Sequence, residues 1–436
     1  MAFAILLLFI ISYFLHLTSR VQFLGAISFD FILMAILAVF VVLQPNKQND
    51  CYHDNSIKRK LLIFVCYFLL TIPLVRWPGS VLWFGLEFYL KVVMFFFFIA
   101  AFVTTEKQLK ILVAVVIGCQ VFRGLEPVYL HITTGYLPEV AYSHGGHALA
   151  RLAGAPHDVV SANPYAWVIV TTVPFLYYLC FLGGTCSKIL TVTIASLLGY
   201  GLILSGSRTG LIILLVVVIA IACFGQKKVK STIVAMAVIF GVGFFVVSTL
   251  SPDLANRYLS IVDSSVVGAD TAKGRINGIK TTLTTISNFY GLLGHGLGTS
   301  REVNANYLGY AQITHNLYVE LFQEVGIIGF FIFCFYIMTI FKSLQNASKK
   351  IPADSYLGRL AMALKVWIIM DIVYGFACYG VSSWEWYVFG GIAAACVSII
   401  ESQQNGEVTQ EQLLQHPDTV FCSRTIVNSE SNNGLP

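Results

Sequence analysis

Apolar runs of roughly 17 to 25 residues, the length a helix needs to cross a hydrocarbon core, alternate with polar turns along the whole chain. About twelve can be read this way. Five come first, over residues 2–17, 23–43, 61–77, 81–103 and 109–130, and four more follow at 165–183, 189–204, 211–224 and 232–250. The last three cover 316–341, 360–379 and 387–400. The run 211–224 reaches spanning length only if its helix starts near Ser207. The run 2–17 reads as a retained helix, because no basic residue precedes it and no Ala-x-Ala cleavage pattern follows. The pattern divides the chain into spans one to five (1–130), a first long loop (131–164), spans six to nine (165–250), a larger loop (251–314), spans ten to twelve (315–400) and a polar tail (401–436). That tail reads as a disordered cytoplasmic extension. The expected fold class is all-α, a polytopic membrane protein with its largest loop between spans nine and ten.

Lysine and arginine orient the spans, since short loops rich in them stay in the cytoplasm. With both ends inside, the cytoplasmic turns hold Lys47, Lys58, Arg59, Lys60, Lys107, Lys110, Lys188, the group Lys227, Lys228 and Lys230, and then Lys342, Lys349, Lys350 and Arg359. The outward side holds Arg20, Arg76, Arg151, Arg208, Arg257, Lys273, Arg275, Lys280 and Arg301, most of them in the two long loops, which the charge rule binds weakly. These cations need another explanation. Composition adds that 57% of residues are hydrophobic and 11% charged, so a soluble globule is excluded, and the net charge of +5 implies no nucleic-acid partner. None of the ten cysteines falls in an outward loop, which argues against a disulfide framework.

The apolar pattern is interrupted at Thr314–Gly329, where a run of spanning length opens with His315, Asn316, Tyr318, Glu320, Gln323 and Glu324. At about 100° per residue, His315, Asn316, Glu320 and Gln323 share one helical sector. Ionisable groups on a helix entering a bilayer are expensive unless they face a protein interior or a wet cavity, so they mark a site. An isolated His315 could equally be a helix-entry residue bonded to backbone. Asn316 and Glu320 beside it favour a functional role. Glu324, about 13 Å further along the axis, reads as a buried structural partner, and Gly326 and Gly329 as places where a neighbouring helix comes close.

In the first long loop, His144-Gly-Gly-His147 lacks a carboxylate at fixed spacing, so no metal site is expected there. In the second, residues 275–286 have apolar positions at helical spacing, with Lys273 and Arg275 at the start, where a helix N-terminus favours an anion. Gly291-Leu-Leu-Gly-His-Gly-Leu-Gly298 follows. It reads either as a tight turn holding the loop against the helix ends or as a phosphate cradle, without the Lys-Ser/Thr of a nucleotide loop. Ser205-Gly-Ser-Arg-Thr-Gly210 is a short outward turn that puts the planar fork of Arg208 where the eighth helix begins. An arginine there can anchor to lipid headgroups or grip phosphate oxygens.

With these motifs the chain resembles the O-antigen ligase and polymerase superfamily of membrane glycosyltransferases. The resemblance rests on the turn around Arg208, on Gly274-Arg275 followed by the glycine-rich segment, and above all on His315-Asn316-x-Tyr318-x-Glu320-x-x-x-Glu324-x-Gly326-x-x-Gly329. A further part is Arg151-Leu-Ala-Gly154 leading to Asn163-Pro164, in the reverse order to the family's Pro-Asn. The resemblance implies a GT-C-like helical enzyme on the outer, periplasmic or extracytoplasmic, face of the bacterial cytoplasmic membrane. Its donor would be a glycan on undecaprenyl pyrophosphate and its acceptor a sugar hydroxyl, of lipid A-core or another glycan, with no cofactor and no metal. Arg208 and Arg275 are the candidate pyrophosphate clamp and His315 the candidate group that activates the acceptor. Lys273, Arg301, Asn316, Tyr318, Glu320 and Arg151 are candidates for substrate binding. A ligase-type reaction is expected, with a polymerase as the alternative and a lipid-glycan flippase or transporter more distant. No duplication of halves of the kind transporters carry is visible.

Overall fold

A computed structural model describes residues 1–43, 56–142, 148–158, 160–224, 241, 257–258, 270–286, 290–311, 315–378 and 380–415. Most of the structure, 80%, is helical. The helices are α1 (Ala2–Phe14), α2 (Phe29–Leu43), α3 (Ser56–Thr71), α4 (Leu86–Phe102), α5 (Glu106–Thr134), α6 (Ala162–Phe175) and α7 (Thr185–Leu204). They continue with α8 (Arg208–Phe224), α9 (Asp270–Leu283), α10 (Ser300–Leu308), α11 (Leu317–Ser348), α12 (Tyr356–Tyr374) and α13 (Glu385–Gln415). Among the described residues, five helical segments are long and apolar enough to cross a membrane: Pro78–Phe102, Glu106–Thr134, Ala162–Phe181, Thr185–Leu204 and Leu317–Ser348. Three shorter apolar helices, α1, α2 and α8, accompany them. The expected ninth span, 232–250, lies almost wholly outside the described residues, as do the His144–His147 loop and the end of the tail.

Local chemistry sets the ends of the helices. Thr105 caps α5 by accepting from the Gln108 amide at 3.3 Å, while the Gln108 side chain accepts from the Thr105 amide at 3.1 Å, a reciprocal box that satisfies two free donors. Gly135 closes the same helix in the left-handed region, at φ 73°. The second expected span divides into Gln22–Ala26 and α2 around Ser28, which takes φ 51°. The centre of the molecule is largely aromatic. α13 packs along α4, α11 along α3, and α12 meets α6, α8 and α11, burying Tyr89, Tyr336, Trp367, Tyr387 and Phe389.

The first long loop is not the plain turn its polarity suggests. Strands β1 (Glu139–Tyr142) and β2 (Ala148–Arg151) pair antiparallel with Glu139 opposite Arg151, and that cross-strand pair is an ion pair at 2.7 Å. The rest of the loop is anchored by Asp158, whose carboxylate receives both Nε and Nη2 of Arg123 at 2.7 Å, with His16 Nε2 3.2 Å away. Burial pushes the Asp158 carboxyl up, but the bonds and charges of Arg123 and His16 outweigh it and hold it at about 2. Beside it, Arg20 pairs with Glu126. The segment that follows α1 is thus tied to α5 and to the first loop.

Candidate active site

Two polar frames carry the candidate residues, and α12 packs against a helix of each. The first frame surrounds the turn that opens α8. Arg151 Nε donates to the carbonyl of Ser205 at 2.7 Å, and Arg257 Nε donates to the carbonyl of Gly206 at 2.7 Å. The Tyr258 hydroxyl reaches the carbonyl of Ile203 at 2.8 Å. Segments from both long loops therefore converge on Ser205–Ser207, and Arg208 follows half-buried at the first position of α8. Arg151 also donates to Asn163 Oδ1 at 3.1 Å, so the Arg151…Asn163 pair read in the sequence is a physical contact. Arg257 was legible only as one outward cation among several. Its place on the glycine of the turn follows from a long-range contact with no local signal.

The second frame is the start of α11, and here the sequence reading is corrected. The helix begins at Leu317, so His315 precedes it and Asn316 is its N-cap, with Oδ1 accepting from the amides of Tyr318 at 3.0 Å and Val319 at 3.1 Å. The four polar residues therefore do not share a helical sector. Asn316 Nδ2 donates to the carbonyl of Phe376 at 3.3 Å, the Tyr318 hydroxyl to that of Ile372 at 2.5 Å, and the Glu320 carboxylate accepts from the Gly380 amide at 2.7 Å. All three bind the start of α11 to the end of α12 and the turn after it. The His315 side chain is exposed.

The middle of α11 is broken at Gly326, which takes φ 67° and ψ −175°. A break inside a bilayer leaves carbonyls that need donors. The glycine-rich segment supplies them. The His295 amide donates to the carbonyl of Gln323 at 2.8 Å and the Gly296 amide to that of Glu324 at 3.0 Å. The Tyr67 hydroxyl donates to the carbonyl of Val325 at 2.9 Å. In return the Glu324 carboxylate accepts from the amides of Gly298 at 2.8 Å and Ser300 at 3.3 Å. A Cβ at Gly294 would lie 2.2 Å from the Glu324 carbonyl, and one at Gly326 would lie 2.3 Å from that of Leu292, so the two chains meet backbone to backbone. The tight-turn reading and the structural role of Glu324 thus have their contacts. Gly326 lies against the short helix Tyr290–Leu293 at Leu292 and the turn that follows it, and Gly329 lies against Tyr67 of α3. Gln323 completes the joint, donating to Thr285 and to Asn304, both at 2.9 Å.

His295 sits at the centre of that joint, 1% exposed, with Nδ1 3.1 Å from the Gln323 carbonyl. Because a carbonyl only accepts, Nδ1 carries the proton. Burial lowers the pKa of the ring, and the charge of Arg76 acts in the same direction.

Of the remaining candidates, Arg301 is exposed in the first turn of α10. Lys273 and Arg275 belong to α9, and their side chains lie outside the described residues. On the same helix Thr282 is buried while Leu283 is 47% exposed.

Helices of spanning length, with arginines, a histidine and carboxylates gathered on two frames, define a multi-pass membrane protein with a built polar site. Residues 193–334 match the family model described as O-Antigen ligase, a stretch that runs from inside α7 past Gly329. The match supports the O-antigen ligase superfamily and contains every candidate residue except Arg151. No match is found among curated proteins.

Proposed function

We propose that the protein is an O-antigen ligase-type membrane glycosyltransferase that moves a glycan from undecaprenyl pyrophosphate to a sugar hydroxyl on the outer face of the bacterial cytoplasmic membrane. One observation carries this reading: within the matched stretch, Asn316, Tyr318 and Glu320 brace the start of α11 against α12, while His315 stands exposed at its tip. The acceptor oxygen bonds to the anomeric carbon as the bond from that carbon to the pyrophosphate oxygen breaks. The electron pair departs on undecaprenyl pyrophosphate, and the hydroxyl proton passes to His315. A positioned base of this kind contributes about 10²- to 10⁴-fold. Arg208 and Arg275 meet the developing phosphate charge, with Lys273 and Arg301 assisting, and Arg151 and Arg257 hold the turn that presents Arg208. Cations preset where charge develops act without reorganisation during the reaction.

The test is reconstitution of the full chain in proteoliposomes with lipid-linked donor and a glycan acceptor, following product by its size on a gel. Glycosidic bond formation supports the proposal. Movement of the donor across the bilayer without a new bond would make the protein a flippase.

A further inference from the structure

Trp77, at the outward end of the third expected span, stacks on His295 with ring centroids 5.7 Å apart, and Tyr290 stacks on the same ring at 5.5 Å. Tyr307 closes the group edge-on, 5.5 Å from His295 and 6.4 Å from Trp77. The Trp77 amide also donates to the His295 carbonyl at 3.3 Å. While His295 is enclosed, Tyr307 remains 51% exposed and Trp77 half-buried. Arg76, 6.0 Å from the Tyr290 ring, is exposed beside them. Rigid aromatic rings open to solvent and flanked by arginine donors suit a ligand that is apolar on one face and rich in hydroxyls at its edge. A pyranose ring is such a ligand.

Resting on the glycosyltransferase reading, we infer that Trp77, Tyr290 and Tyr307, assembled around His295, form a platform that stacks one pyranose ring of the acceptor glycan. The acceptor is the occupant because His295 is bonded to Gln323 of α11, the helix whose start presents His315, and that histidine is the group that meets the acceptor hydroxyl. The pyrophosphate end of the donor is held at the other frame, by Arg208. Arg76 reaches the hydroxyls and acidic substituents at the edge of the stacked sugar.

The experiment compares wild type, Trp77→Ala, Trp77→Phe and Tyr307→Ala, full-length and in proteoliposomes. Each Ala variant should raise the acceptor KM about ten-fold, the size of one lost aromatic contact, with a much smaller change in kcat and an unaltered donor KM. Trp77→Phe should recover most of the loss. Tyr307→Ala keeps the test open should Trp77→Ala fold poorly, since Tyr307 is half exposed. Independently of transfer, core oligosaccharide released from lipopolysaccharide by mild acid should change the tryptophan fluorescence of wild type and not of Trp77→Phe. A loss of kcat at constant acceptor KM, a rise in donor KM instead, or fluorescence that saturating oligosaccharide leaves unchanged would overturn the platform. Absence of transfer by wild type together with fluorescence quenching would sink the transferase reading and leave the sugar platform standing.

Discussion

At the scale of single residues, Arg208 and His315 carry the proposed chemistry and Asp158 with Arg123 carries structure. Arg208→Ala should lower transfer by about 10²- to 10³-fold, the usual loss when one preset charge donor is removed, while the protein stays inserted. Arg208→Lys should rescue poorly, because a point charge does not reproduce a bidentate fork. Turnover at normal protein levels in the Ala variant would remove Arg208 from the site. For His315, comparing Ala with Gln variants separates proton transfer from orientation: His315→Gln keeps activity only if the ring orients the acceptor. A transfer rate that stays flat across about one unit either side of the ordinary histidine value near 6.5 would count against proton transfer. Asp158 gives a purely structural prediction. Its folded value of about 2 lies below the ordinary 3.8, so its contribution to stability is complete above about pH 4 and is lost as pH falls toward 2. The thermal unfolding midpoint of the detergent-solubilised protein should drop across that window, and less so in Asp158→Asn. Arg123→Met, which strands the buried carboxylate, should cost about 3–5 kcal/mol, read as a fall in the same midpoint at pH 7.

At the scale of elements, what could be read in advance depended on whether a signal was local. The long spans α5, α6, α7 and α11 announce themselves because lipid demands an unbroken apolar run, and the cap of α5 is written in Thr105 and Gln108. The break in α11 was not legible. Val325-Gly-Ile-Ile-Gly329 keeps its apolar character across the kink, and the donors that permit it come from a loop some thirty residues earlier, which periodicity does not see. The hairpin was missed for the opposite reason, because four-residue strands in a polar loop carry little pattern. Asn316, Tyr318 and Glu320 were legible as special residues, yet their partners on α12 were not, and those partners are backbone groups that any sequence could supply. Gly326→Ala tests the kink: a Cβ 2.3 Å from the Leu292 carbonyl, at a φ that L residues avoid, should cost about 1–3 kcal/mol. Reduced accumulation and a lower midpoint are expected, and a midpoint equal to wild type would mean that α11 straightens there without penalty.

At the scale of the whole molecule, ligase and polymerase share a donor and differ in what they admit as acceptor, so the phenotype of a deletion separates them better than any point variant. Loss of a ligase should leave long glycan polymer on undecaprenyl pyrophosphate with none attached to its final acceptor. Finding only single capped repeats would assign the protein to polymerisation instead. The joint between the glycine-rich turn and α11 bears on how such proteins can diverge. The amides of His295 and Gly296 donate to the carbonyls of Gln323 and Glu324, and those of Gly298 and Ser300 to the Glu324 carboxylate, so neither half is satisfied without the other. A long loop is ordinarily the part of a membrane protein that can be traded freely. Here the trade has a condition: a chimera that takes residues 290–311 from another protein should accumulate only if glycine stays at the places of Gly294 and Gly296, where a Cβ would lie 2.2 Å from the Glu324 carbonyl and 2.4 Å from Val81, and otherwise loop and helix will have to be inherited as a block.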